Sequence, residues 1–144
     1  MASPFRLYNT LAREVQDFQP QNDGKVKLYV CGMTVYDHSH VGHARAMVTF
    51  DMVARYLRHR GWDVDFVRNY TDVDDKIITR ANEAGEEAMT LAQRFIESFQ
   101  DDMGALGLLE PTHEPRVSQC IEDIVAVIQS LVERGHAYAA EGSV

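Results

Sequence analysis

The first clear apolar signal along the chain is VKLYVC, residues 26–31, a run of β-branched and aromatic residues that reads as a strand. A polar, glycine-containing stretch follows to His40. From Gly42 to Arg60, Val48, Met52 and Tyr56 recur at helical spacing with Val53 and Leu57 beside them, and Gly61 supplies a stop. DVDFVRN, residues 63–69, alternates polar with apolar positions and reads as a second strand. Strand, helix and strand joined by short links make a βαβ unit, so the two strands are expected to be parallel neighbours with a right-handed crossover.

Beyond this unit the period stays helical. TDVDDK is a turn whose aspartates can cap a helix over 75–84, stopped near Gly85. Thr90 is expected to cap the next helix, with Leu91, Phe95, Phe99, Met103 and Leu106 on one face. A proline-containing break, EPTHEP, separates it from a final helix around 117–134, whose predicted buried stripe is Ile121, Ile124, Val125, Ile128, Leu131 and Val132. Gly135 ends that helix, and HAYAA reads as the start of a further strand. The pattern is that of an α/β fold, with a sheet small for the class. The expected organisation is an α/β unit over residues 1–85 followed by a helical region over 86–144.

Composition narrows the class. The 144 residues suffice for one domain with a sizeable core, and 45% hydrophobic with 25% charged residues is ordinary for a globular chain. No run of 18 apolar residues marks a membrane span, and the start MASPFRLYNT lacks the apolar core of an export signal. Cys31 and Cys120 are the only cysteines and stand far apart, which reads as two reduced thiols in a cytoplasmic protein. The net charge of −8 is uneven: residues 1–81 hold 11 Lys/Arg against 10 Asp/Glu, residues 82–144 hold 3 against 12. Such an acidic second part suits neither a phosphate-tracking surface nor strong nucleic-acid binding by this chain alone. The local group Arg55, Arg58 and Arg60 reads as solvated helix charge.

The candidate chemistry lies after the strands, because ligands of open α/β sheets sit beyond the strands' carboxyl ends. CGMTVYDHSHVGH and NYTDVDDK should therefore face one crevice. Gly42 would leave room against the backbone at a helix N-terminus, a place that favours anions. His40 and His43 can donate hydrogen bonds to phosphate oxygens, although H-x-G-H by spacing alone is equally a polar loop. Cys31 is either a buried strand-end thiol or a metal ligand, and Asp72, Asp74 and Asp75 either cap a helix or hold a cation.

Context favours the chemical readings of the histidines and of Cys31, while capping stays the favoured reading of the aspartates. HVGH resembles the H-I-G-H signature of class I aminoacyl-tRNA synthetases, with Val41 a conservative departure. "LYVCGMTVYDHSHVGHAR" followed by "FDMVARYLRHRGWDVDFVRNYTDVDDKIITRANEAG" is similar to the cysteinyl-tRNA synthetase family, and the likeness runs from "LYNTLAREVQDFQP" to "RGHAYAAEGSV". The resemblance implies the N-terminal half of a Rossmann-like (HUP-type) nucleotide-binding fold with parallel strands, followed by helices leading into a connective insertion. It implies that Cys31 ligates Zn2+, which binds the substrate thiolate and so discriminates against serine. By the same resemblance Gly32, Met33, Thr34, Asn69, Tyr70 and Thr71 line the cysteine and adenylate pocket. His40 and His43 then stabilise the phosphates of ATP, which arrives with Mg2+.

The other zinc ligands, the K-M-S-K-S-type loop and the anticodon-reading part of that family are not found in these residues. The chain is thus expected to be the N-terminal part of an enzyme that uses ATP, L-cysteine and tRNA(Cys), inactive by itself. Alternatives are the related cysteine ligase of mycothiol synthesis, a short paralogue that binds adenylate or cysteine, and a docking protein with an acidic helical surface. Cys120 is expected to be a core thiol, and His59, His113 and His136 carry no partner at metal spacing.

Overall fold

The fold, seen in a computed structural model, is described over residues 4–144. The reading of the chain's start as lacking an export signal falls partly on residues 1–3, outside the described residues. No helix among the described residues is long and apolar enough to cross a membrane.

Two short strands, β1 (Arg6–Asn9) and β2 (Glu14–Asp17), precede two central parallel strands, β3 (Lys25–Val30) and β4 (Asp63–Arg68), in the register Val26 opposite Val64 and Val30 opposite Arg68. Each alternates: Val26 and Val30 turn into the core while Lys25, Lys27 and Tyr29 face out, and Val64, Phe66 and Arg68 match them on the inner side. Helix α1 (Val41–His59) crosses between the strands and covers this inner face with Met47, Ala54 and Leu57. The expected βαβ unit is present. Its helix, however, leaves Val48 and Met52 exposed, and Tyr56 is 38% exposed. A sheet of two strands offers α1 a narrow seat, so only part of its apolar surface is covered.

Helix α2 (Asp75–Ala84) keeps the predicted bounds; the Asp74 carboxylate accepts from the Lys76 N–H, and Gly85 closes the helix. Helix α3 (Ala88–Ala105) starts two residues before Thr90. Its cap is Glu87, whose carboxylate accepts from both the backbone N–H and the hydroxyl of Thr90 at 3.0 and 3.1 Å. Thr90 is the third helical residue and serves as the donor, not the cap. The face Leu91, Phe95, Phe99 and Met103 is buried as predicted, joined by Ala92 and Ile96, while Leu106 is exposed.

The EPTHEP break has a structure of its own. Residues 112–117 run along the free edge of β4 and pair with it in parallel. The Thr112 N–H donates to the Phe66 carbonyl, the Arg68 N–H to the His113 carbonyl and the Tyr70 N–H to the Pro115 carbonyl. Thr112 Oγ1 accepts from the Phe66 N–H, and Glu114 binds the Arg68 guanidinium through Nε and Nη2 while accepting from the Tyr70 hydroxyl. Proline in the motif signalled a break, and prolines suit an edge strand equally well because an edge position can spare a donor.

Two further differences concern the ends. A hairpin, β1 (Arg6–Asn9) with β2 (Glu14–Asp17), precedes the βαβ unit. Its strands have four residues each and almost no buried position, so no period announced them. Phe5 and Phe18 at its base anchor it against Tyr56 and Trp62, with ring centroids 5.2–6.5 Å apart. At the other end, the predicted helix 117–134 divides into a 3-10 turn (Val117–Gln119) and α4 (Ile121–Glu133). No residue of α4 is buried: Ile121, Ile124, Val125, Leu131 and Val132 are all exposed and Ile128 is half-buried. The predicted buried stripe is therefore corrected. Its spacing is helical, but no other element among the described residues packs over it. HAYAA forms no strand; only an isolated bridge joins Ala140 and Ser143.

Candidate functional site

Past Val30 and Arg68 the two segments stay joined for several residues, and this joint builds the base of the site. The Gly32 N–H donates to Asn69 Oδ1 at 2.9 Å, the Thr71 N–H to the Met33 carbonyl at 3.1 Å, and the Val35 N–H to the Thr71 carbonyl at 3.2 Å. The approach at Gly32 leaves no room for a side chain: a Cβ there would lie 1.6 Å from the Asn69 carbonyl oxygen. Met33, Val35 and Tyr70 are buried beneath the joint, Thr34, Asn69 and Thr71 are half-buried, and Cys31 is exposed at the end of β3. Burial, and then the neighbouring Glu114 carboxylate, push the Tyr70 phenol up to about 12, so it remains a neutral donor to Glu114.

The two histidines meet at the start of α1. His40 is the cap residue, in extended conformation, and its Nδ1 accepts from the Gly42 N–H at 3.0 Å. The His40 N–H in turn donates to Nδ1 of His43 at 3.2 Å, a capping box made from two imidazoles. The rings lie 4.1 Å apart between centroids. A Cβ on residue 42 would come 2.7 Å from Cε1 of His40, which explains the glycine between them.

This geometry assigns the tautomers. Each Nδ1 accepts a backbone proton, so each neutral ring carries its own proton on Nε2. Partial burial, and then the neighbouring His40, hold the His43 pKa below its ordinary value. Two imidazole Nε2 donors at the positive end of a helix suit an anion.

The loop before His40 is held by α3. Nδ1 of His38 lies 3.0 Å from the Ser98 hydroxyl, the His38 ring meets Phe95 edge-on at 5.1 Å, and the Ser39 hydroxyl donates to the Asp102 carboxylate. These partners stand 60 and 63 residues apart in sequence, and no local pattern signals them.

The aspartates divide their work. Asp74 caps α2, Asp75 lies exposed in its first turn, and Asp72, 1% exposed, accepts from the Ser118 N–H and hydroxyl. Among the described residues no three His, Cys, Asp or Glu side chains gather where they could hold a metal ion. Cys31 is the soft ligand on offer, and alone it does not make a zinc site. Cys120 is half-buried at the head of α4, so the core-thiol expectation is not met. His113 lies 3.6 Å from Asp65, and His59 and His136 are exposed. The arginine group is engaged rather than free: Arg55 pairs with Asp51 and donates to the Gly107 carbonyl, Arg58 reaches the Val64 carbonyl, and Arg60 lies over Tyr56 and Trp62.

Comparison with known proteins gives a consistent result. The family model described as "tRNA synthetases class I (C) catalytic domain" matches residues 17–144. Relatives named cysteine–tRNA ligase include one from Trichlorobacter lovleyi, 56% identical over 139 residues, covering 96% of this chain and 28% of the relative. Another, from Methylococcus capsulatus, is 58% identical over 133 residues, covering 92% of this chain and 29% of its own length. The chain thus spans less than a third of these relatives. Among solved structures, a LeuRS–tRNA–LeuAMS ternary complex from Agrobacterium radiobacter K84 superposes with a TM-score of 0.67 at 24% identity, over 83% of this chain and 16% of that one. This last likeness concerns the fold, and it agrees with the α/β reading of half a Rossmann-like domain.

Proposed function

We infer the activity from one premise: the chain belongs to the family of class I (C) tRNA synthetase catalytic domains. At the length of its relatives, the protein is a cysteine–tRNA ligase that activates L-cysteine with ATP and transfers it to tRNA(Cys). Residues 1–85 contribute the first half of the nucleotide-binding fold, and 86–144 lead into the connective insertion.

In the activation step a carboxylate oxygen of cysteine attacks the α-phosphorus of ATP, and the bond to pyrophosphate breaks. Negative charge builds on the phosphate oxygens as it does so. His40 and His43 meet that charge with their Nε2 protons, held in place because each Nδ1 is engaged by the backbone. Gly32, Thr34, Asn69 and Thr71 border the amino-acid side of the cleft, with Met33 and Tyr70 as its buried support. Mg2+ accompanies the ATP. Cys31 would contribute one ligand toward Zn2+, with the rest supplied by the part of the protein that the relatives have beyond this match. Zinc would supply a soft centre for the substrate sulfur.

The observation that carries this reading is the reciprocal imidazole box over Gly42, which sets two proton donors at the helix N-terminus. The test is cysteine-dependent ATP–pyrophosphate exchange in the protein at its relatives' length. Replacing His40 or His43 by Ala is expected to lower the exchange rate by roughly 100- to 1,000-fold, as loss of a preorganised donor does elsewhere. Full exchange in either variant, or none with cysteine in the parent protein, sinks the reading.

A further inference from the structure

The acidic helical region holds more than core. We propose that Ser98 and Asp102 of α3 are positioning residues for the His40/His43 pair, acting through His38 and Ser39; this rests on the activation chemistry inferred above.

Residues 37–39 make no backbone–backbone hydrogen bond among the described residues. The His38 N–H turns instead to the Asp37 carboxylate beside it. What locates this stretch is therefore its side chains, and both His38 and Ser39 reach the same helix. Ser98 and Asp102 are four residues apart and Phe95 three before Ser98, so all three share one face of α3. The register of that face is fixed by the adjoining Phe99, which is 1% exposed and lies under the Arg68 guanidinium at 4.9 Å, edge-on to Tyr70. The chain passes directly from Ser39 into His40, whose extended backbone starts the imidazole box.

A small rotation at Ser39 would swing His40 and undo the Gly42 contact. The tie therefore transmits the position of α3 to the two donors without touching a ligand. Asp102 is itself exposed, so removing its carboxylate does not open the core.

Two measurements test this. In ATP–pyrophosphate exchange by the protein at its relatives' length, Asp102→Ala is expected to lower kcat by about tenfold, since misplacing a reacting group by less than an ångström has effects of that size. KM for cysteine is expected to stay within about twofold, and Asp102→Asn, which keeps an accepting oxygen, to recover most of the rate. An unchanged kcat in Asp102→Ala, or a loss that Asn does not repair, overturns the proposal. Amide hydrogen exchange supplies a readout independent of turnover, so the proposal stands or falls even if the parent protein proves inactive toward cysteine. Asp102→Ala is expected to speed exchange at the Gly42 amide by about fivefold and to leave Ile77 in α2 unchanged. Equal exchange at Gly42 in the two proteins, or acceleration everywhere, overturns it.

Discussion

Gly32 and Gly42 show how a single residue can be required for different reasons. At position 32 the obstacle is main chain: a Cβ would meet the Asn69 carbonyl oxygen at 1.6 Å, and the two strand ends would have to part. At position 42 the obstacle is the His40 ring, which can swing away at the expense of its capping bond. Gly32→Ala is therefore expected to cost at least about 3 kcal/mol through overpacking, and Gly42→Ala about 1 kcal/mol through the lost cap. Urea denaturation midpoints check the order; equal losses would mean that the strand ends are free to separate. Sequence reading singles out both glycines and both histidines, because the family signatures they belong to lie within residues 31–43. It did not find that the histidines cap each other's turn, since ring orientation is not written in spacing.

At the level of elements, the least expected is the strap of residues 112–117. Glu114 gathers the Arg68 guanidinium and the Tyr70 hydroxyl, and the Arg68 side chain is only 6% exposed. Removing the carboxylate leaves a cation in the core with no partner of opposite charge. Glu114→Ala is expected to destabilise the protein by about 3 kcal/mol, the lower end for breaking a buried pair because Glu114 keeps some contact with water. Glu114→Gln, which still accepts a hydrogen bond, is expected to lose less. Thermal or urea unfolding of the two variants decides it, and an Ala variant within about 0.5 kcal/mol of the parent would show that Arg68 finds another partner. Sequence alone shows the strap only as a break, because its contacts lie 44 to 46 residues away, on and just beyond a strand that it meets only after the chain has passed through two helices.

For the whole molecule, the telling feature is what stays open. The inner face of the sheet is packed and the outer edge of β4 is covered, but Lys25, Lys27 and Tyr29 face outward. Helix α4 exposes its apolar residues, Val127 to 60%. An uncovered apolar helix and an unpaired strand edge each favour association. The 144-residue chain alone is expected to sediment with a concentration-dependent mass at micromolar levels, and Val125→Glu with Val132→Glu to shift it toward monomer. A monomer at all concentrations would mean that these surfaces are tolerated by the isolated chain.

What the sequence determined by itself is whatever neighbours in the chain can specify: the βαβ order, the helix over 75–84, the apolar face of α3, and the motif that identifies the family. These depend on local period and on residues a few positions apart, where covalent geometry limits the outcomes. The tertiary structure alone decided which apolar faces find cover, which edge the segment 112–117 takes, and how α3 holds the loop ahead of the histidines. Each of these is a meeting of residues dozens of positions apart, and its stability comes from desolvation and hydrogen bonds that exist only once the chain has closed on itself.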